Sequence, residues 1–348
     1  MWRLSLTALA LAVTLSGAAP LHAQFEEASA APPIIEFHSG FWVNLHHFLY
    51  LQARRRGSGD AREAFAQPEY ASALPSGDLT PAERAAWNAA LDVYSKDWAQ
   101  RNLLQNGDMI IANNRLVELE DCADISAHAP PACAAGLRAD LVTALTEAAP
   151  VYRAHWWTAQ DRENRGWIDG VTPLIHSMGS DLATQLVRIY RQPWPAARLR
   201  VDVSWYAGPE GSYTTLIPPH ITIASHDARN QGLFAFEMLF HEASHTLAGA
   251  LNEDIERRCR DLGKPIPRDL WHAVLFYTTG ELVRREIAAS PALASTNGAA
   301  SYTPYAIRNG LYDHGWSAYE VALERFWQAY LDGKLDFDTA IARIVGTL

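Results

Sequence analysis

One stretch constrains this chain more than any other: Met238-Leu239-Phe240-His241-Glu242-Ala243-Ser244-His245-Thr246-Leu247. It sets two histidines and a glutamate in an otherwise apolar run without Pro or Gly, so the fold must bury the run and satisfy those polar groups from within. On a helix, residues four apart share a face, so His241 and His245 present two imidazoles to one point while Glu242 points beside them. A catalytic zinc ion takes three protein ligands and leaves a fourth position to water, whose pKa falls to about 7. A neighbouring carboxylate can then remove the proton, and His241, His245 and Glu242 meet most of that requirement for one Zn²⁺ per chain. The plainer alternative is a buried amphipathic helix with two core histidines satisfied by hydrogen bonds.

The segment resembles the HExxH signature of the zincin metallopeptidases. No Gly-x-x-His follows His245, so it is more similar to the gluzincin branch than to the metzincins. The resemblance implies an α+β, mainly helical fold whose zincin-like core carries a small antiparallel sheet before the HExxH helix. It also implies a third zinc ligand, a glutamate on a later helix.

Two residues on a helix read from Asp269 to Arg285 are candidates for that ligand, His272 and Glu281. Nine residues of straight helix separate them by about 13 Å, so they cannot both serve. Apolar residues recur at helical spacing over 230–262, and a helix continuous to Leu262 would bring Glu281 back to the level of His245. A break near Gly249 or Asn252 would favour His272 instead. The continuous reading makes Glu281 the expected ligand and His272 its alternative, with Glu286 behind them.

A hydrolase also needs a donor for the oxyanion that develops on the attacked carbonyl. The loop from Tyr302 to Trp316 offers His314, Tyr312 and Tyr305, although ordinary packing or exposure would explain each of them alone. Glu242 is the expected general base.

Upstream, Met1-Trp2-Arg3, the apolar run at 4–15 and Leu21-His22-Ala23 read as a secretory signal peptide cleaved after Ala23. The mature protein is therefore expected in the periplasm or outside the cell. No later run reaches the roughly 18 apolar residues of a membrane span, so no integral span is expected once the signal is removed. The 29 basic residues against 39 acidic ones argue against nucleic acid and anionic membranes. The implied partner is a peptide or protein substrate.

Residues 24–36 read as a flexible leader, 37–195 as a helical region and 196–348 as the catalytic region, the last two packing as one unit. Helices are expected over 37–50, from a Thr80-Pro81-Glu83 capping box to about Leu103, over 134–157 and over 173–190. Period-two alternation over 198–206, 212–217 and 220–225 predicts the small antiparallel sheet, whose edge would suit an extended substrate. His38, His46, His47 and Asn44 could line the site's floor or be core residues. Cys122 and Cys133 bracket a Pro-rich loop and are expected to pair, leaving Cys259 free.

Two rivals belong to other classes. One is a metal-binding or scaffold protein without turnover, against which Glu242 counts because a structural site needs no base. The other is a zinc hydrolase of a non-peptide amide such as a cell-wall fragment, for which the cluster Trp156, Trp157 and Trp167 would suit a sugar.

Overall fold

A computed structural model describes residues 34–57, 79–290 and 302–348, so the expected signal peptide and most of the leader lie outside the described residues. The end of the leader is corrected. Ile35–His38 is strand β1, which runs parallel to β2 (Leu199–Ser204) with Ile35 opposite Leu199. Ile35 is buried, and an apolar β-branched residue beside an open sheet edge is better placed in a strand than in a linker.

Helix α1 (Phe41–Gly57) starts four residues later than the pattern implied and carries Arg54, Arg55 and Arg56 in its last turn, where cations complement the dipole. Helix α2 (Pro81–Lys96) opens on the expected capping box, with Thr80 and Glu83 bonded reciprocally. It stops at Lys96, and α3 (Gly107–Glu118) follows with Asn106 as its cap.

The helices expected over 134–157 and 173–190 form one continuous helical run. It comprises α4 (Ala139–Tyr152), α5 (Thr158–Leu174) and α6 (Ser180–Tyr190), joined by π-type turns at Arg153–Trp157 and Ile175–Gly179. Pro150 and Pro173 lie just before those turns. Each proline removes one N–H and crowds the carbonyl four residues back, and a widened turn absorbs the mismatch without ending the helix.

The run threads two hydrophobic clusters. Leu141, Leu145 and Tyr152 pack with Trp42, Phe48 and Trp87, while Leu182, Leu186 and Tyr190 pack into the cluster that encloses the HExxH segment. The described residues belong to a single unit, 33–348.

The sheet is mixed, where an antiparallel one was expected. Its order is β1-β2-β4-β3, with β3 spanning Ser212–Leu216 and β4 Pro219–Ala224; β1, β2 and β4 are parallel, and β3 alone is antiparallel. The loop after β2, with Gly208 and Gly211 at positive φ, carries the chain past the neighbouring position, so β3 turns back through β4 and β4 settles beside β2. Both become interior strands. Val201, Val203, Ile221 and Ile223 are all buried, as strands covered on both faces require.

Helix α7 (Leu233–His245) packs against β3, β4, α5, α6 and α9 (Leu270–Ala289), with α8 (Gly249–Asp261) between α7 and α9 in sequence. A short helix Tyr305–Arg308, a helical run over 317–331 and a last helix Phe337–Thr347 complete the chain. The architecture is thus mainly helical with a small mixed sheet. Cys122 and Cys133 are disulfide-bonded, and Cys259 is free and buried. No helix among the described residues is long and apolar enough to cross a membrane.

Candidate metal centre

The segment expected to be one helix from 230 to 262 breaks after His245. Ser244 Oγ donates to the Phe240 carbonyl at 2.7 Å and Thr246 Oγ1 to the Ala243 carbonyl at 2.6 Å. The N–H groups of Thr246 and Leu247 reach carbonyls three residues back instead of four. Such local bonding tightens and ends a helical turn. The chain restarts at Gly249, and Pro265 and Pro267 lie between α8 and α9.

This break decides which residue meets the HExxH pair. His272, in the first turn of α9, joins His241 and His245 in a group whose ligand atoms all lie within 4.8 Å of one another. Its Nε2 is 3.2 Å from that of His241. Glu281, the ligand expected from a continuous helix, does not belong to the group. It holds Arg284 and Arg285 at 2.7–2.8 Å and accepts from Gln328. Glu286 accepts from Gln185. By placement, the residue beside the HExxH pair is therefore His272 and not the expected Glu281, because α7 ends at His245 instead of running on to Leu262.

All three imidazoles are held in the neutral form that ligates metal. Burial pushes His241 well below its ordinary range, aided by His245 and His272. Burial takes His245 down to about 4 and, with the charge of His245, takes His272 down to about 3. Three neutral imidazoles whose ligand atoms lie this close together could hold a metal ion.

Rings more than hydrogen bonds fix these side chains. Phe276 stacks on His241 with centroids 3.7 Å apart, and Trp271 stacks on His272 at 5.0 Å while meeting His245 edge-on at 5.4 Å. Trp316 meets the edge of His272 at 5.7 Å. The Nδ1 of His241 is buried without a hydrogen-bond partner among the described residues, so it lacks the acceptor that orients most metal-bound imidazoles.

Glu242 sits beside the group, with Oε2 3.9 Å from His245 Nε2. Its carboxylate is bonded by β3: the Ser212 hydroxyl donates to Oε1 at 2.6 Å and the Thr214 hydroxyl to Oε2 at 2.7 Å. Burial raises its carboxyl to about 7 against the opposing pull of those two hydroxyls. Ser212 and Thr214 were not anticipated. Their signal was their spacing of two, which puts both hydroxyls on one face of a strand.

A second carboxylate on α7, Glu237, is also buried and raised to about 7. It accepts from the Tyr302 hydroxyl at 2.5 Å and from the Tyr305 N–H at 2.8 Å. The Tyr305 ring stacks on Phe276 at 5.8 Å, and burial pushes its phenol up to about 12, with Glu242 among the charges acting on it. Of the three loop candidates, Tyr305 thus lies in the aromatic stack on His241. Tyr312 is buried one ring removed, 6.4 Å from Trp316. His314 is exposed, and its ring makes no hydrogen bond among the described residues.

The histidines of α1 belong to the other cluster. His46 bonds Tyr94, and His47 lies between Ser204 and Tyr213; both are fully buried core residues. Trp156 and Trp157 stack among Phe41, Phe48, Trp87 and Tyr152, and Trp167 donates to the Asn230 carbonyl, so this trio is engaged in packing. No protein family, curated protein or solved structure matches the chain.

Proposed function

We propose that the chain is an exported, zinc-dependent metallopeptidase of the zincin kind, with His241, His245 and His272 as its metal ligands and Glu242 as its base. The observation that carries the reading is the convergence of three imidazoles within 4.8 Å with the Glu242 carboxylate 3.9 Å from one of them. A bound zinc ion would supply Lewis acidity, polarising a carbonyl and acidifying water. Glu242 would take the proton from the attacking water and pass it to the leaving amine. Ser212 and Thr214 hold that carboxylate in place.

The antiparallel edge strand β3 lies against α7 beside Glu242, which supports an extended peptide as the substrate, added to the sheet edge strand by strand. Tyr305 is the group we assign to the developing oxyanion. His272 departs from the glutamate that a gluzincin would use, so the likeness is to the wider zincin group.

The test is Glu242→Gln assayed on a peptide library with metal content measured in parallel. The reading expects retained metal and turnover reduced by at least about a hundredfold; unchanged turnover would remove Glu242 from the mechanism. A second reading, a metal-holding protein without turnover, is favoured by the fact that both Glu242 oxygens already accept hydroxyl hydrogen bonds. It expects bound metal and no cleavage by the wild type.

A further inference from the structure

A pocket of about 520 Å³ including its open mouth lies between α9, the Tyr305–Arg308 helix and the 317–331 run, and Phe276, which stacks on His241, is part of its lining. Its lining is partly apolar, with Phe276, Pro304, Ala306 and Ile307, and partly charged, with Glu281, Arg284, Glu320 and Glu324. These carboxylates are not equivalent. Glu281 is neutralised by a two-pronged contact with Arg284 and a further bond to Arg285.

Glu320 and Glu324 have no ion-pair partner among the described residues. They stand four residues apart in a helical run, a like-charge spacing that destabilises a helix unless something cationic bridges it. Burial and the charges of Glu324 and Asp313 push the Glu320 carboxyl up, as uncompensated repulsion requires.

An independent observation points to the same place. Tyr312 lines the pocket and is only 4 % exposed, yet its hydroxyl has no hydrogen-bond partner among the described residues. A buried hydroxyl without a partner costs about 1–3 kcal/mol, so a polar group arriving in the pocket would recover a bond the protein lacks.

We propose that this pocket binds an organic cation, a primary ammonium or guanidinium on an unbranched apolar stem. The stem lies along Phe276 and Ile307, the head bridges Glu320 and Glu324, and the Tyr312 oxygen accepts one of its hydrogens. A divalent metal ion fits less well. Two carboxylates and a phenol are too few oxygen ligands for calcium, and the described residues offer a close-set group of metal-binding atoms at the three histidines and not here. In the proposed peptidase the pocket receives a basic side chain of the substrate, a role that rests on the metallopeptidase reading, whereas binding of the cation itself does not.

The experiment therefore uses the metal-free full chain and no activity assay. n-Butylammonium and its neutral counterpart butan-1-ol are titrated separately and followed by ligand-observed NMR, with calcium chloride as a third titrant. The expected result is saturable binding of the amine in about the millimolar range, with the alcohol at least about tenfold weaker. Glu320→Gln with Glu324→Gln should weaken the amine by about tenfold or more. Tyr312→Phe, which deletes a hydroxyl that has no partner and so should fold as well as the wild type, should weaken it several-fold. Equal affinity for amine and alcohol, amine binding that survives the two Gln substitutions, or saturable binding of calcium in place of the amine would each overturn the proposal. Amine binding in a protein that cleaves no peptide would leave the pocket standing and remove the peptidase.

Discussion

The Nε2 atoms of His241 and His272 lie 3.2 Å apart although 31 positions separate the two residues in the chain. The contact depends on the end of α7 at His245, and it makes the first turn of α9, not its middle, the part that faces the HExxH pair. The first expectation follows from this. Elemental analysis after dialysis should find about one zinc per wild-type chain, at least about a hundredfold weaker retention in His272→Ala, and unchanged retention in Glu281→Ala. The reverse ranking would mean that α7 and α9 rearrange when metal binds.

In the proposed peptidase, Ser212 and Thr214 act through Glu242, as positioning residues. Either Ser212→Ala or Thr214→Val should keep its metal while losing turnover by about ten- to a hundredfold, since one hydrogen bond to a charged group contributes about 1.5–3 kcal/mol. Ser212→Thr, which retains the hydroxyl, should keep most of the turnover. Loss of metal together with activity would indicate general damage to α7 instead of misplacement of one carboxylate.

Gly280 of α9 lies close against Pro304 and Glu237 of α7. A Cβ there would lie 2.6 Å from Pro304 Cβ and 2.9 Å from Glu237 Oε1. Helix propensity alone would make Gly280→Ala stabilising by about 1 kcal/mol, but the overlap is with a rigid ring and a buried carboxylate. The net expectation is destabilisation by about 1–3 kcal/mol, read from the midpoint of urea unfolding. A variant more stable than wild type would show that the helices can separate freely.

Glu237 should make stability depend on pH. Burial raises its carboxyl from an ordinary 4.5 to about 7, against the pull of Tyr302 and of the Tyr305 N–H. The folded state therefore binds this proton more tightly than the unfolded state. Its stabilising contribution is complete below pH 4.5 and is lost as pH rises through about 7. At 1.36 kcal/mol per unit the loss is up to about 3 kcal/mol. Glu237→Gln, neutral at every pH, should reduce that slope, leaving the share that Glu242 contributes in the same range, and be the more stable protein at pH 8; parallel slopes in the two proteins would assign the dependence to another group.

Local chemistry was legible in the chain itself. The four-residue spacing of His241 and His245 places them together on any helix, Thr80-Pro81-Glu83 specifies a helix start, and Cys122 and Cys133 bracket a loop short enough to close. Each depends on interactions between neighbours in sequence, which a pattern can carry. That His272 and not Glu281 stands beside the HExxH pair depended on where α7 stopped, which goes with a few hydroxyl-to-carbonyl bonds around Ser244 and Thr246 and not with the apolar periodicity read from the chain. The mixed sheet arose in the same way, because β4 and β1 took up long-range pairings with β2 that no alternation of side chains encodes. Ser212 and Thr214 announced only that they share a face; that the face would meet Glu242 was decided when β3 packed on α7. Spacing along the chain determines which groups share a surface, and only the packing of those surfaces decides which groups meet.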